Sequence, residues 1–165
     1  LTMHRRENQG VPMANVFRAV RDIVAENPDV EVVYPVHLSP AVQKTAREIL
    51  ADVDRVHLID PLDVVDFHNM AARSYLIMTD SGGVQEEAPS LNVPVLVLRD
   101  TTERPEGVDA GTLRLTGTYY DTVKTMVEEL LHNEAAYQEM ADNLNPYGDS
   151  HTADRITRII KDFIQ

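Results

Sequence analysis

The sequence predicts an α/β fold, a parallel sheet covered by helices on both faces, and three observations carry that prediction. Short apolar runs such as Leu76-Ile77-Met78 and Val93-Pro94-Val95-Leu96-Val97-Leu98 alternate with segments of helical periodicity. The runs are nearly all apolar rather than alternating, as befits strands buried on both faces. Five of them end in polar residues: His4-Arg5-Arg6, His37, Asp60-Pro61, Asp80-Ser81-Gly82-Gly83 and Arg99 to Arg104. Right-handed crossovers place the loops after parallel strands on one rim. The pattern is therefore Rossmann-like, and the rim is where a ligand is expected.

In chain order, Leu1-Thr2-Met3 reads as the end of a first strand and His4-Arg5-Arg6-Glu7-Asn8 as its loop. From Val11 to Asn27 the residues Val16, Ala19, Val20, Ile23 and Val24 recur at helical spacing. Pro12 suits the first turn of that helix and Asn27-Pro28 closes it. Glu31 to Val36 is the second strand, ending at His37, with Pro35 near its end where a lost donor is tolerable. Ser39-Pro40 opens a helix through about Leu50, and Arg55 to Ile59 is the third strand, stopped by Asp60-Pro61. A short helix, Leu62 to Ala72, bears Phe67, and Leu76 to Met78 is the fourth strand. After the turn Thr79 to Gly83 a helix runs to about Leu91. Val93 to Leu98 is the fifth strand, Arg99 to Gly111 a long polar loop, and Thr112 to Leu115 a sixth strand. Helices over Thr122 to His132, Ala135 to Asn143 and Ala153 to Ile164 complete the chain.

Composition narrows the functions. The 165 residues suit one domain with a substantial core, and 43% hydrophobic against 25% charged residues excludes a disordered chain. No apolar run approaches a membrane span, and no basic-then-apolar leader is present. The absence of cysteine excludes disulfides and thiolate metal sites and fits a reducing cytosol. A net charge of −12 argues against nonspecific binding to nucleic acid or anionic membrane. It leaves room for a phosphorylated small ligand, held locally by amides and one or two arginines. Leu1 falls inside a strand, so the chain is expected to be part of a longer one.

The turn Ser81-Gly82-Gly83 is suited to an anion. The first amides of a helix have no intrahelical acceptor, the macrodipole adds about half a positive charge, and glycine lets a phosphate approach closely. Ser81 suits the N-cap and can donate to a phosphate oxygen. Glu87, four residues after Gly83, lies on the same helix face, where a carboxylate accepts hydrogen bonds from a sugar diol. Arg104 either clamps a diphosphate bidentately or pairs with its neighbours Glu103 and Glu106. His4 is an acid, a base, a phosphate donor or a structural hydrogen bonder, and His37 shares that ambiguity. Arg5 and Arg6 bind an anion or form surface pairs. Phe67, at helical spacing from Val64, either fills the core or offers its face to a base. His57 and His68 read as structural or exposed. The histidines lack metal-ligand spacing, and Asp52/Asp54 and Asp63/Asp66 suit solvated faces, so no metal is expected. Neither a dinucleotide glycine fingerprint nor a phosphate loop with lysine is present, and no cofactor is expected.

Several stretches together carry a more specific signal. They are His4 to Asn8, Tyr34-Pro35-Val36-His37, Thr79 to Leu91, Pro94 to Arg99, Thr102-Glu103-Arg104-Pro105-Glu106-Gly107 and Asn145-Pro146-Tyr147-Gly148-Asp149. In this order, along almost the whole chain, they resemble the C-terminal half of the bacterial non-hydrolysing UDP-N-acetylglucosamine 2-epimerases. The resemblance implies one half of a glycosyltransferase-B-type fold, residues 1 to 165 being the UDP-binding domain of a two-domain enzyme. It also implies interconversion of UDP-N-acetylglucosamine and UDP-N-acetylmannosamine, serving cell-surface polysaccharide synthesis in the cytoplasm. It assigns Ser81, Gly82 and Gly83 to the diphosphate, Glu87 to the ribose, Phe67 to the uracil, and Arg104 and His4 to the phosphates or reacting sugar. Arg5 and His37 match positions that touch a second, activating UDP-N-acetylglucosamine. A homodimer is expected of the full-length protein, and the catalytic carboxylates are expected mostly in the N-terminal half. Asn92 and Ser150 stand where the family usually has glycine; the first is expected to alter the turn into the fifth strand. Two other readings use the same fold: a UDP-sugar glycosyltransferase half or hydrolysing epimerase, and a receiver-like or nucleotide-sensing module.

Overall fold

The structure is a computed structural model describing residues 1–149 and 151–164; Ser150 lies outside the described residues. The helices are α1 (Val11–Glu26), α2 (Pro40–Leu50), α3 (Val64–Ala71), α4 (Gly82–Glu87), α5 (Pro105–Asp109), α6 (Tyr120–His132), α7 (Glu134–Asp142) and α8 (Thr152–Ile164). The strands are β1 (Val32–Pro35), β2 (Val56–Ile59), β3 (Ile77–Thr79), β4 (Val95–Val97) and β5 (Leu113–Leu115). All pairings are parallel: Val32 opposes Val56 in β1–β2, Ile77 opposes Val95 in β3–β4, and Val95 opposes Leu113 in β4–β5.

The expected first strand is reduced to a seam. Thr2 forms one parallel bridge with Thr79: its N–H donates to Met78 O at 2.9 Å, and the Asp80 N–H donates to Thr2 O at 3.2 Å. On the other side the Leu1 amino group donates to Val33 O at 2.9 Å. Only Thr2 pairs in register with β3, so the segment supplies a bridge and not a strand. The order across the sheet is thus β2, β1, the Leu1–Met3 segment, β3, β4, β5. Buried Tyr34 fixes the seam by donating its hydroxyl to Met3 O at 2.7 Å. Burial raises the Tyr34 phenol well above its ordinary range, so it remains a donor.

Alternation along β4 explains the all-apolar run. Leu96 and Leu98 face the main core with Phe17, Met13, Leu50 and Leu130, while Val95 and Val97 face a smaller cluster with Ala71, Val84, Ala88 and Leu113. Both faces are covered, so every position is apolar. Helix α1 packs against α2 and α6 over the main cluster.

Several element limits differ from expectation for local reasons. Asp63 caps α3 by accepting from Asp66 N, so the helix starts two residues later than Leu62. The helix after the glycine turn tightens to a 3-10 turn at Ala88–Leu91, because Pro89 cannot donate into an α-helical ladder. The loop Arg99 to Gly111 contains α5, opened by Pro105 at its first turn and too short to show periodicity. Asn92 itself adopts the left-handed conformation, φ 55°, so the turn into β4 is retained without glycine.

A cavity of about 1250 Å³, mostly apolar, lies between β1 and β3, lined by Leu1, Val33, Phe67, Met70 and Leu76. Its lining extends from residues 28–31 and 73–75, ahead of those strands, to Pro35 at the end of β1 and Leu62 and Asp66 after β2. The polar rim lies at the carboxyl ends of the strands.

Candidate functional site

The rim is organised around Asp80, a carboxylate with no exposed surface at the end of β3. It accepts from His4 N (3.0 Å, both oxygens), Arg5 N (2.9 Å) and Asn8 Nδ2 (3.0 Å). Asn8 is also buried, and the same amide donates to Leu98 O at 3.2 Å. The loop His4–Asn8 is therefore bound across the ends of β3 and β4. Three donors to one buried carboxylate offset its desolvation. The sequence reading named Asp80 only as part of the turn; its placement between an apolar strand and the glycines was the available signal.

Ser81 occupies the N-cap position of α4, yet its side chain makes no capping bond, unlike the expected cap. Its amide is instead satisfied by Thr79 Oγ1 at 2.9 Å. A Cβ built on Gly82 would come within 3.6 Å of the Arg5 guanidinium, and one on Gly83 within 3.9 Å of Ser81 Oγ. Those are ordinary contacts, so internal packing does not require either glycine. At Gly107, by contrast, a Cβ would collide with Leu113 and Tyr147. Gly82 is half-buried and Gly83 exposed, so the turn lies at the surface.

Arg104 is tied to this turn by a relay through buried Gln85. Gln85, with no exposed surface, donates to Ser81 O at 3.1 Å and accepts from Thr102 Oγ1 at 2.5 Å. Thr102 Oγ1 in turn accepts from Arg104 N at 3.0 Å. Tyr147 Oη donates to Arg104 O at 3.3 Å, which gives the Asn145–Asp149 stretch a positional role. The Arg104 guanidinium pairs with the Glu86 carboxylate and donates to the backbone carbonyl of Glu103 at 3.0 Å; among the described residues it makes no ion pair with the side chains of Glu103 or Glu106. Glu103 is engaged elsewhere, by Arg99 at 2.9 Å and Arg5 at 3.2 Å, and Arg5 also reaches Glu7 at 3.3 Å. Hydrogen bonding from Arg99, with further donation from backbone, holds the Glu103 carboxyl down at about 2.

Glu87 lies beside Gly83, whose Cβ position is 4.0 Å from Glu87 Oε1, and its other oxygen meets His68 Nε2 at 3.1 Å. His68 is thus part of the rim, which the sequence reading missed: the helix register of α3 gave no hint of α4 across from it. Phe67 is half-buried against the smaller cluster and lines the apolar cavity. His4 and His37 stack, with ring centroids 5.3 Å apart and planes at 13°. His57 pairs with Glu31 at 3.0 Å, away from these residues. Arg6 opens the 3-10 turn Arg6–Asn8. Among the described residues no group of three or more acidic or histidine side chains could hold a metal.

A family model described as UDP-N-acetylglucosamine 2-epimerase matches residues 1–161. The chain belongs to this family. It is 60% identical over 156 residues to the UDP-N-acetylglucosamine 2-epimerase of Bacillus subtilis, covering 94% of this chain and 41% of that protein. Among solved structures, a Listeria monocytogenes protein described as a putative UDP-N-acetylglucosamine 2-epimerase superposes with a TM-score of 0.94 at 54% identity, covering 99% of this chain and 44% of that one. The Staphylococcus aureus MnaA–UDP co-structure superposes with a TM-score of 0.93 at 54% identity, covering 99% and 45%. The epimerase-family chain spans under half the length of the curated relatives it matches.

Proposed function

We propose that this chain is the UDP-binding half of a non-hydrolysing UDP-N-acetylglucosamine 2-epimerase and that the longer protein interconverts UDP-N-acetylglucosamine and UDP-N-acetylmannosamine. The observation that carries the reading is the open Ser81-Gly82-Gly83 turn, joined through Gln85 and Thr102 to Arg104, in a chain of this family. The amides and Ser81 hydroxyl take the diphosphate, Arg104 adds a cation, and Glu87 accepts from the ribose hydroxyls. Phe67 stands against the uracil, and His4 faces the reacting sugar.

The reaction removes the C2 proton and breaks the bond from C1 to the diphosphate oxygen, giving a 2-acetamidoglucal and UDP. A proton then returns to the opposite face of C2 as the diphosphate oxygen bonds to C1 again, with no net oxidation. Negative charge grows on the leaving diphosphate, and preorganised amides with a guanidinium stabilise it most where water is excluded. An N-terminal half supplies the exclusion and the carboxylates. Arg5 and His37 form the contact for a second, activating UDP-N-acetylglucosamine; the full-length protein works as a cytoplasmic homodimer in polysaccharide synthesis.

In deuterated water the full-length protein is expected to place deuterium at C2 of both UDP-sugars. Transfer to an added acceptor without exchange, or release of free N-acetylmannosamine, would replace this reading with a transferase or a hydrolysing epimerase. The 165-residue chain alone is expected to bind UDP weakly and not to epimerise. For activation, hyperbolic kinetics unchanged by His37→Ala would remove the second site.

A further inference from the structure

The stacked rings of His4 and His37 each face a polar group at Nδ1, and the two groups are of opposite kind. His4 Nδ1 stands 3.5 Å from Asp80 Oδ1. Both Asp80 oxygens already accept from N–H donors, so the carboxylate acts as an acceptor only. A lone pair on His4 Nδ1 would face that oxygen repulsively, whereas a proton there is attracted. His37 Nδ1 lies 3.0 Å from Ser39 N. A backbone amide can only donate, so this nitrogen must carry its lone pair.

We infer that Asp80 and the Ser39 amide fix opposite tautomers in the stacked pair, with the neutral His4 protonated on Nδ1 and the neutral His37 protonated on Nε2. The pair then presents a lone pair at His4 Nε2 beside an N–H at His37 Nε2, on rings 5.3 Å apart. The charged and titratable groups around His4 are Asp80 at the end of β3, His37 after β1, and Arg5 next in its own loop. The His4 side chain is 40% exposed, so its outer nitrogen is accessible. This deepens the reading above and rests on it in one respect: if His4 faces the reacting sugar, it does so as a proton acceptor and not as a phosphate donor. Asp80 is then a positioning residue, acting through His4.

Long-range proton–nitrogen correlation spectra of the nitrogen-15-labelled chain, recorded at about pH 8, test the tautomers without substrate. The expected result is a protonated-type resonance at Nδ1 and a lone-pair-type resonance at Nε2 for His4, the less common form of a free histidine, with the reverse for His37. Asp80→Asn should return His4 to the Nε2-protonated form and leave His37 unchanged. Ser39→Pro, at a residue whose φ of −57° suits proline, removes the amide donor and should relax His37 alone. His4 protonated on Nε2 in the unmodified chain overturns the inference even if Asp80→Asn fails to fold. His37 protonated on Nδ1 in the unmodified chain overturns its second half. A failure of UDP binding or of C2 exchange would leave these spectra as expected, and so separates the two readings.

Discussion

The rim and helix α8 are opposite solutions to the same polymer's surface. On the rim the polar side chains that shape the loops have internal partners: Asp80 holds the His4–Asn8 loop, Gln85 ties the glycine turn to Thr102, and Glu103 joins two arginines. Helix α8 is amphipathic, yet no described residue of it is buried. Its apolar stripe, Ile156, Ile159, Ile160 and Phe163, is 52%, 67%, 52% and 90% exposed. At its start Arg155 meets Asp149 at 2.9 Å, tying the helix to the preceding segment. A site that must hold charge is preorganised by the chain that bears it, because unpaired polar groups would otherwise be costly. An apolar stripe carries no such internal requirement.

The contrast can be broken most sharply at Asp80. Asp80→Ala removes the acceptor for three donors, two of them backbone amides, and should cost roughly 3 kcal/mol or more of stability. The urea midpoint should fall with little change in slope; a loss below about 1 kcal/mol would mean the rim is not internally held. Arg104→Ala is expected to weaken UDP binding roughly ten- to hundredfold by calorimetry while leaving the melting temperature nearly unchanged, since it removes a charged donor to the ligand. Equal binding by the variant would take Arg104 out of the site.

A smaller effect concerns pH. Glu103 has its carboxyl lowered from 4.5 to about 2 in the folded chain, chiefly by Arg99. Its contribution is therefore fully present above about 4.5 and is lost as pH falls toward 2. Glu103→Gln should flatten the stability profile in that window and leave neutral pH little changed, the group being exposed. The smallest effect belongs to α8: Ile159→Asp with Phe163→Ser should alter the stability of this chain by less than about 0.5 kcal/mol. A large drop would show that the stripe is covered by another copy of the chain in solution, which a concentration dependence of the melting temperature would reveal.

The alternation of elements, the two-faced burial of β4 and the clustering of polar residues at strand ends were all legible in the sequence, because periodicity and turn chemistry report each residue's own environment. The glycine turn, Glu87 and Arg104 could be singled out for the same reason. Which partner each polar residue takes was decided only by the tertiary structure. Arg104 chose Glu86 over its neighbours Glu103 and Glu106, Glu87 met His68 from another helix, and Asn8 reached Asp80 across 72 residues. Periodicity assigns a residue to a face. Only the packing of loops from different strands onto one rim brings donors and acceptors within bonding distance, and that distance determines what Asp80, His4 and His37 can do.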